Sequence, residues 1–413
     1  MSIGISNFFN QLGQELYAQW ATLNFNEDRF PTLAANLLKK KYIHNKINRS
    51  AITNWVLENQ LLPNQANIDF KFADLNLTAY SNDKFYIELL FWLDGTTSIH
   101  QHAFSGAFTV IEGSSIHSDY SFKCNQHINH ALSIGEVKFN QIELLKEGDV
   151  RKIPPKQMSA HSLYHIDRPT ISLIIRTYGQ GYAQPQLSFL KPHIARDPFK
   201  KDASITQKIQ TLKTLSKLNQ DEYLTAYHQH ISKLDLYSHI EIFIANAPLL
   251  IKFGALDKAI EQFEVKGNSL APKMRAVAMQ IHRTNQINSW RRKIKDADLK
   301  FFLAILLNSP NRQTSLQLIN SIYPEQQAIE LVIGWINQLI TSEGLENVDI
   351  NEPTLPFIDC LLNGLSFEQT IEYLAQDYDQ QELDESSSIL QQLYQQLKFE
   401  SVLSPLFRSQ KEQ

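Results

Sequence analysis

The chain of 413 residues is longer than a single hydrophobic core organises, so two or three structural units are expected. Its 39 Lys and Arg stand against 43 Asp and Glu, a formal net charge of -4, and no basic block tracks a phosphate backbone, which argues against a nucleic-acid partner. Cys124 and Cys360 lie far apart, which excludes a disulfide framework or a thiolate cluster within the chain and suits a reducing compartment. The start, Met1-Ser2-Ile3-Gly4, lacks a basic leader followed by an apolar run, and no segment has about 20 apolar residues in a row, so a cytoplasmic protein without a membrane association is expected.

In chain order, Phe8, Phe9, Leu12, Leu16 and Trp20, then Leu33, Leu37 and Leu38 after Phe30-Pro31, recur at helical spacing. They predict an N-terminal helical layer over residues 1–65, with Lys39-Lys40-Lys41 as the solvated end of one helix. Residues 66–196 change character, with short apolar or alternating runs at Phe85 to Trp92, Phe108 to Ile111, Ile142 to Leu145 and Thr170 to Arg176, broken by turn signals. Such a pattern predicts a sandwich or small barrel. From Asp197-Pro198 onward the spacing is helical again, as at Ile205, Ile209, Leu212 and Leu215, and prolines divide residues 197–413 into helices of ordinary length. No signature recurs at a constant period there, and the Gln and Glu rich stretch 380–385 reads as a polar connection, with fraying after Ser409. The class is therefore α+β, with an all-α C-terminal domain.

The segment Gly95-Thr96-Thr97-Ser98-Ile99-His100-Gln101-His102 carries the chemistry. On a strand, side chains at i and i+2 share a face, so His100 and His102 can present two imidazoles to one ion. Further along, Gly148-Asp149-Val150 reads as a turn into a strand, Pro154-Pro155 as a loop, and His161 arrives before the next apolar strand as a third ligand. Three imidazoles leave open positions, which suits Fe(II). The plain alternative for His100 and His102 is a polar pair on a solvated sheet face. His228-Gln229-His230 has the same form but lies in a helical stretch, where i and i+2 diverge. His117, His127, His130 and His193 have no partner at strand spacing and read as surface or hydrogen-bonding residues.

At Trp92, Gly95 to His102, Glu112-Gly113, His161 and Pro169 to Leu173, the sequence resembles the cupin superfamily, and within it the cysteine dioxygenase type of thiol dioxygenase. The resemblance covers residues 85–178 and implies a cupin-type β-barrel with a three-His metal site, because Gly106 and Ala107 stand where many cupins place a fourth, glutamate ligand. Ala107 also rules out the crosslink that a cysteine there forms with tyrosine in that type. By the same comparison the family's serine, histidine and tyrosine fall on Ser172, Ile174 and Arg176, and its carboxylate-gripping arginine falls among Leu75 to Leu77.

Arg176 offers a substitute grip for an acidic substrate, against the alternative of a surface arginine at a strand end. Tyr164 and His165 follow His161 closely enough to supply a hydrogen-bond donor and a proton carrier, or to cap a loop. The resulting expectation is a non-haem Fe(II) oxygenase acting with O2 on a small thiol or another metal-chelating molecule. Two other readings stay open: a non-catalytic ligand-binding cupin whose C-terminal helices engage a protein partner or a second copy, and a metal-dependent isomerase or lyase.

Overall fold

A computed structural model describes residues 2–66, 72–154, 160–178, 186–200, 202–265, 267, 269–343, 354–378 and 380–409. Pro155 and the frayed end expected after Ser409 lie outside the described residues. The chain divides into two compact units, Met1–His282 and Arg283–Gln413.

The first unit opens with three helices, α1 (Ser2–Ala21), α2 (Phe30–Lys41) and α3 (Arg49–Glu58). Pro31 sits in the first turn of α2, where its missing N–H costs nothing, and Asn48 caps α3 by accepting from the Ala51 N–H at 2.9 Å. At the other end of α2, Lys40 and Lys41 reach Glu15 of α1. The strands follow: β1 (Leu75–Ser81), β2 (Phe85–Trp92), β3 (Ile99–His100), β4 (Gly106–Glu112), β5 (Ser115–Asn129), β6 (Leu132–Leu145), β7 (Val150–Ile153), β8 (Ala160–His165), β9 (Thr170–Thr177), β10 (Ser188–Leu190) and β11 (Ile194–Arg196).

Five strands form one sheet in the order β1-β2-β9-β4-β7, and the other six close on themselves in the order β10-β11-β6-β5-β8-β3. The turn between β6 and β7 depends on Gly148, whose φ of 86° few side chains tolerate. The polar stretch 114–135 is the tip-bearing part of one long hairpin, since β5 and β6 pair from Ser115 with Leu145 to Asn129 with Leu132.

Every residue of β2 is buried, because this strand is covered on both faces. Phe85, Ile87, Leu89 and Phe91, with Ile171, Leu173 and Ile175 of β9, join Phe9, Leu12, Leu16, Trp20 and Leu38 in the core under the N-terminal helices. The alternate residues Leu90, Trp92 and Ile174 join Phe108, Val110, Leu145 and Ile153 on the opposite, inner face. That inner face holds the site.

Helices α4 (Ala203–Leu218), α5 (Gln220–His230), α6 (Leu236–Lys252) and α7 (Leu256–Glu264) share a core with Leu132, Ile134 and Ile194 of the strands. The division between the units falls inside α8 (Leu270–Lys293). In the second unit, Leu299 to Asn308 of α9 (Ala297–Asn308) are all buried, which marks α9 as its central helix. Around it run α10 (Arg312–Ile322), α11 (Ala328–Glu343), α12 (Leu355–Leu362), α13 (Phe367–Leu374) and α14 (Gln380–Gln395).

The stretch 380–385 corrects the sequence reading, since it forms the first turns of α14 rather than a polar connection. Gln and Glu are good helix formers, and Leu383, Leu390, Leu393 and Leu397 supply an apolar stripe at spacings of 7, 3 and 4. Among the described residues no helix is long and apolar enough to cross a membrane.

Candidate metal centre

The register of the short strand β3 builds the centre, because His100 lies directly opposite His161 of β8. His102 stands two residues on, in the loop that follows β3 rather than on the strand itself. The three rings nonetheless converge, with centroids 4.6 Å (His100 to His102), 4.8 Å (His100 to His161) and 4.9 Å (His102 to His161) apart. One nitrogen from each lies within 4.8 Å of the others, and the set could hold a metal ion.

Burial pushes all three imidazoles below their ordinary value. The effect is strongest for His102, where His100 and Arg176 add to it, and for His161, where His100, His102 and His117 add to it. Neutral rings have lone pairs to offer a cation. The Nδ1 of His100 lies 2.8 Å from the Ser98 carbonyl, which only accepts, so Nδ1 carries the proton and Nε2 is left as the acceptor. That Nε2 is buried with no hydrogen-bond partner among the described residues. Nε2 of His102 and Nε2 of His161 face each other at 2.8 Å, a distance bridged by a single shared proton or exchanged for a common cation. A buried, unmatched acceptor is costly, and this donor set of three neutral imidazoles fits a divalent transition metal.

Gly106 gives the physical reason that no glutamate joins the set. A Cβ at this position would lie 2.0 Å from the Ile175 carbonyl oxygen on the neighbouring strand, so the β4–β9 pairing admits no side chain there. Ala107 is buried in the core under the N-terminal helices, on the face away from the histidines.

Arg176 is brought toward the centre, and it does not come alone. Its Nη2 donates to Glu88 Oε2 of β2 at 2.7 Å, and its guanidinium lies 4.8 Å from the Tyr86 ring and 4.9 Å from the Phe104 ring. Phe104 in turn packs 4.4 Å from His102. Burial raises the Glu88 carboxyl, and the charge and hydrogen bond of Arg176 pull it back. Arg176 Nε and Glu88 Oε1 are both buried without a hydrogen-bond partner among the described residues.

His165 shares the strand face of His161, since the two are four residues apart on β8, and it stacks on Trp92 at 4.3 Å with Nδ1 2.8 Å from Ser115 Oγ. Tyr164, of opposite parity, is fully buried on the other face of β8. Ser172 accepts from Trp92 Nε1 at 3.0 Å, an engagement that ties two inner strands behind the centre. The second H-x-H pair lies at the end of α5, where His228 Nδ1 meets Gln262 Nε2 at 3.0 Å.

Two groups of residues escaped the sequence reading. Glu88 had a signal, for it is the sole carboxylate in the otherwise apolar run Phe85 to Trp92, and a charge in a strand covered on both faces needs a partner. Glu143 and Arg151 had none, and His117, read as a surface or hydrogen-bonding residue, is buried and hydrogen-bonded on both ring nitrogens. His117 Nε2 lies 3.0 Å from His161 Nδ1, its Nδ1 lies 3.0 Å from Glu143 Oε1, and Arg151 holds Glu143 through Nε at 2.6 Å and through a second, Nη2–Oε2 contact.

Burial alone would raise the Glu143 carboxyl, but hydrogen bonds from Arg151 and His117 outweigh it and hold the group at about 2, against an ordinary 4.5. A depressed carboxyl adds stability above its unfolded value and loses it as the pH falls through the folded one. The native protein should therefore melt progressively closer to the Glu143→Gln protein as pH falls from 4.5 to about 2. A gap between the two melting temperatures that stays constant over that window, followed by circular dichroism, would count against this account.

Together, strands paired around an inner face with a short strand bearing one histidine opposite another define an α+β protein with a cupin-like barrel and a helical C-terminal part. The chain is similar in part to hydroquinone 1,2-dioxygenase from Sphingomonas sp. TTNP3 with 4-hydroxybenzoate bound, at 15% identity over 27% of this chain and 70% of that one, with a TM-score of 0.20. Of another hydroquinone 1,2-dioxygenase structure it spans 61%. Similar in part are also a cupin-2 domain containing protein from Shewanella frigidimarina (18% identity, 26% of this chain, 82% of that one, TM-score 0.18) and DMSP lyase DddQ from Ruegeria pomeroyi DSS-3 (15%, 42%, 93%, TM-score 0.22). No protein-family model matches the chain, and neither does any curated protein.

Proposed function

We propose that the protein is a non-haem Fe(II)-dependent oxygenase that acts with O2 on a small thiol or another metal-chelating organic molecule bearing an acidic group. The observation that carries this reading is the convergence of three imidazoles, two of them buried and His102 partly so, with an unmatched acceptor nitrogen on His100. Fe(II) held there supplies open coordination positions and the redox chemistry.

The chain's own residues then divide the remaining work. His100, His102 and His161 hold the ion. Trp92, Phe108 and Val110 form an apolar cluster on the inner face that keeps bulk water from the reacting groups. Arg176 receives the acidic group of the substrate along the guanidinium edge that Glu88 leaves, with Phe104 as the surface between that anchor and His102. His165, steadied by Ser115 and Trp92, stands ready as a proton carrier on the His161 face.

The test is oxygen uptake by protein loaded with Fe(II) under anaerobic conditions and then mixed with thiols, diketones and hydroxy acids in turn. Uptake with at least one class, in fixed ratio to product, is expected. Metal that binds stoichiometrically with no uptake for any of them would sink the oxygenase reading and return the isomerase, lyase or binding readings.

A further inference from the structure

Beyond the three histidines, the structure carries a hydrogen-bonded line that runs from the centre between the two sheets, formed by His161, His117 and Glu143 of the second sheet with Arg151 of the first at its end. We propose that His117 and Glu143 are positioning residues that fix which nitrogen of His161 faces the metal, an inference that rests on the metal reading above.

The direction of the line follows from its last member. A carboxylate only accepts, so the 3.0 Å contact between Glu143 and His117 puts a proton on Nδ1 of His117. With that proton on Nδ1, the Nε2 of His117 is the nitrogen that accepts, and the 3.0 Å contact takes its proton from Nδ1 of His161. His161 Nε2 is thereby left as a lone pair directed at His102 Nε2, 2.8 Å away. Asp119 Oδ1 also approaches His117 Nε2, but at 3.5 Å it is the more distant neighbour, and its other oxygen accepts from Gln141 at 2.5 Å.

Each link is held in place independently. His117 is buried, with the Phe108 ring 5.9 Å from it and 6.2 Å from His161. The backbone places them together, since β5 pairs with β8 and His117 lies two positions from the partner of His161. Arg151, on β7, orients the carboxylate from the far side through two contacts. An imidazole whose second nitrogen donates toward a carboxylate is a better defined and more basic ligand, and loss of such support typically costs about 10–100-fold in metal affinity.

The experiment measures Zn(II) affinity by competition with a chromophoric chelator for the native protein and for His117→Phe, Glu143→Ala and Glu143→Gln. The first two variants should bind Zn(II) about 10–100-fold more weakly. Glu143→Gln, whose amide oxygen still accepts from His117, should stay close to native. Ring nitrogen chemical shifts of His161 in the metal-free protein give a second readout: a single Nδ1–H tautomer in the native chain and a mixture in His117→Phe. Native affinity and an unchanged tautomer in both His117→Phe and Glu143→Ala would overturn the positioning role while leaving the metal site standing. Failure of the native protein itself to take up metal would overturn both.

Discussion

His161→Ala protein is expected to emerge from anaerobic purification and dialysis with almost no metal, where the native protein retains close to one equivalent, and to lose substrate-dependent oxygen uptake with it. Structural zinc sites with four ligands bind with roughly 10–16 kcal/mol, so each ligand carries about 2.5–4 kcal/mol, or about two to three powers of ten in affinity. A three-ligand centre has less to spare. Removing His161 also leaves His102 without the nitrogen it faces at 2.8 Å and leaves His117 without its inward neighbour.

The fold should survive, because β8 is held by backbone pairing with β5 from Ala160 to His165, which alanine at residue 161 retains. His100→Ala is the companion variant, since its ring lies across the strand pair from His161 and carries the unmatched Nε2. Elemental analysis beside circular dichroism decides the matter. Full metal content in either folded variant would show that the ion sits elsewhere.

The second large effect concerns stability. Glu88 is almost fully buried at 1% side-chain exposure and Arg176 nearly so at 16%, so the pair is far from the solvent that weakens surface ion pairs. Arg176→Leu strands the Glu88 carboxylate in an apolar wall, and breaking a buried pair from one side typically costs about 3–5 kcal/mol. Glu88→Leu strands the guanidinium in turn, though the Tyr86 and Phe104 rings still face it.

The double variant Glu88→Leu/Arg176→Leu should recover most of that loss, because replacing both partners by apolar groups removes the desolvation cost together with the attraction. Urea denaturation followed by tryptophan fluorescence measures all four proteins. A double variant as unstable as the sum of the singles would show that the pair is not coupled. The same double variant, if folded and metal-bound, should lose preference for acidic substrates, which separates the structural part of the pair from its proposed role as an anchor.

Much of this protein was legible before any coordinates. The helical spacing of Phe9, Leu12, Leu16 and Trp20, the apolar run of β2 and the glycine turn at Gly148 are local patterns, and local backbone chemistry reads them directly. The H-x-H segment and His161 were legible because their chemistry is specific, although the periodic argument that placed both His100 and His102 on one strand describes only His100. Stretch 380–385 misled because Gln and Glu suit a helix and a polar connection equally well, and its apolar stripe emerges only farther along the chain.

What composition and local spacing determined, then, was the class of fold, the position of most elements and three candidate ligands. Tertiary structure alone decided who meets whom: Glu88 with Arg176 across 88 positions, and His161 with His117 across 44. The physical reason is register. Side chains alternate along a strand, so a slip of one residue in the pairing of β5 with β8 or of β2 with β9 would turn each of these groups to the opposite face. The burial that makes the imidazoles neutral and the ion pair strong comes from the same closure of the sheets over their inner face, a property of the assembled whole that no single strand possesses.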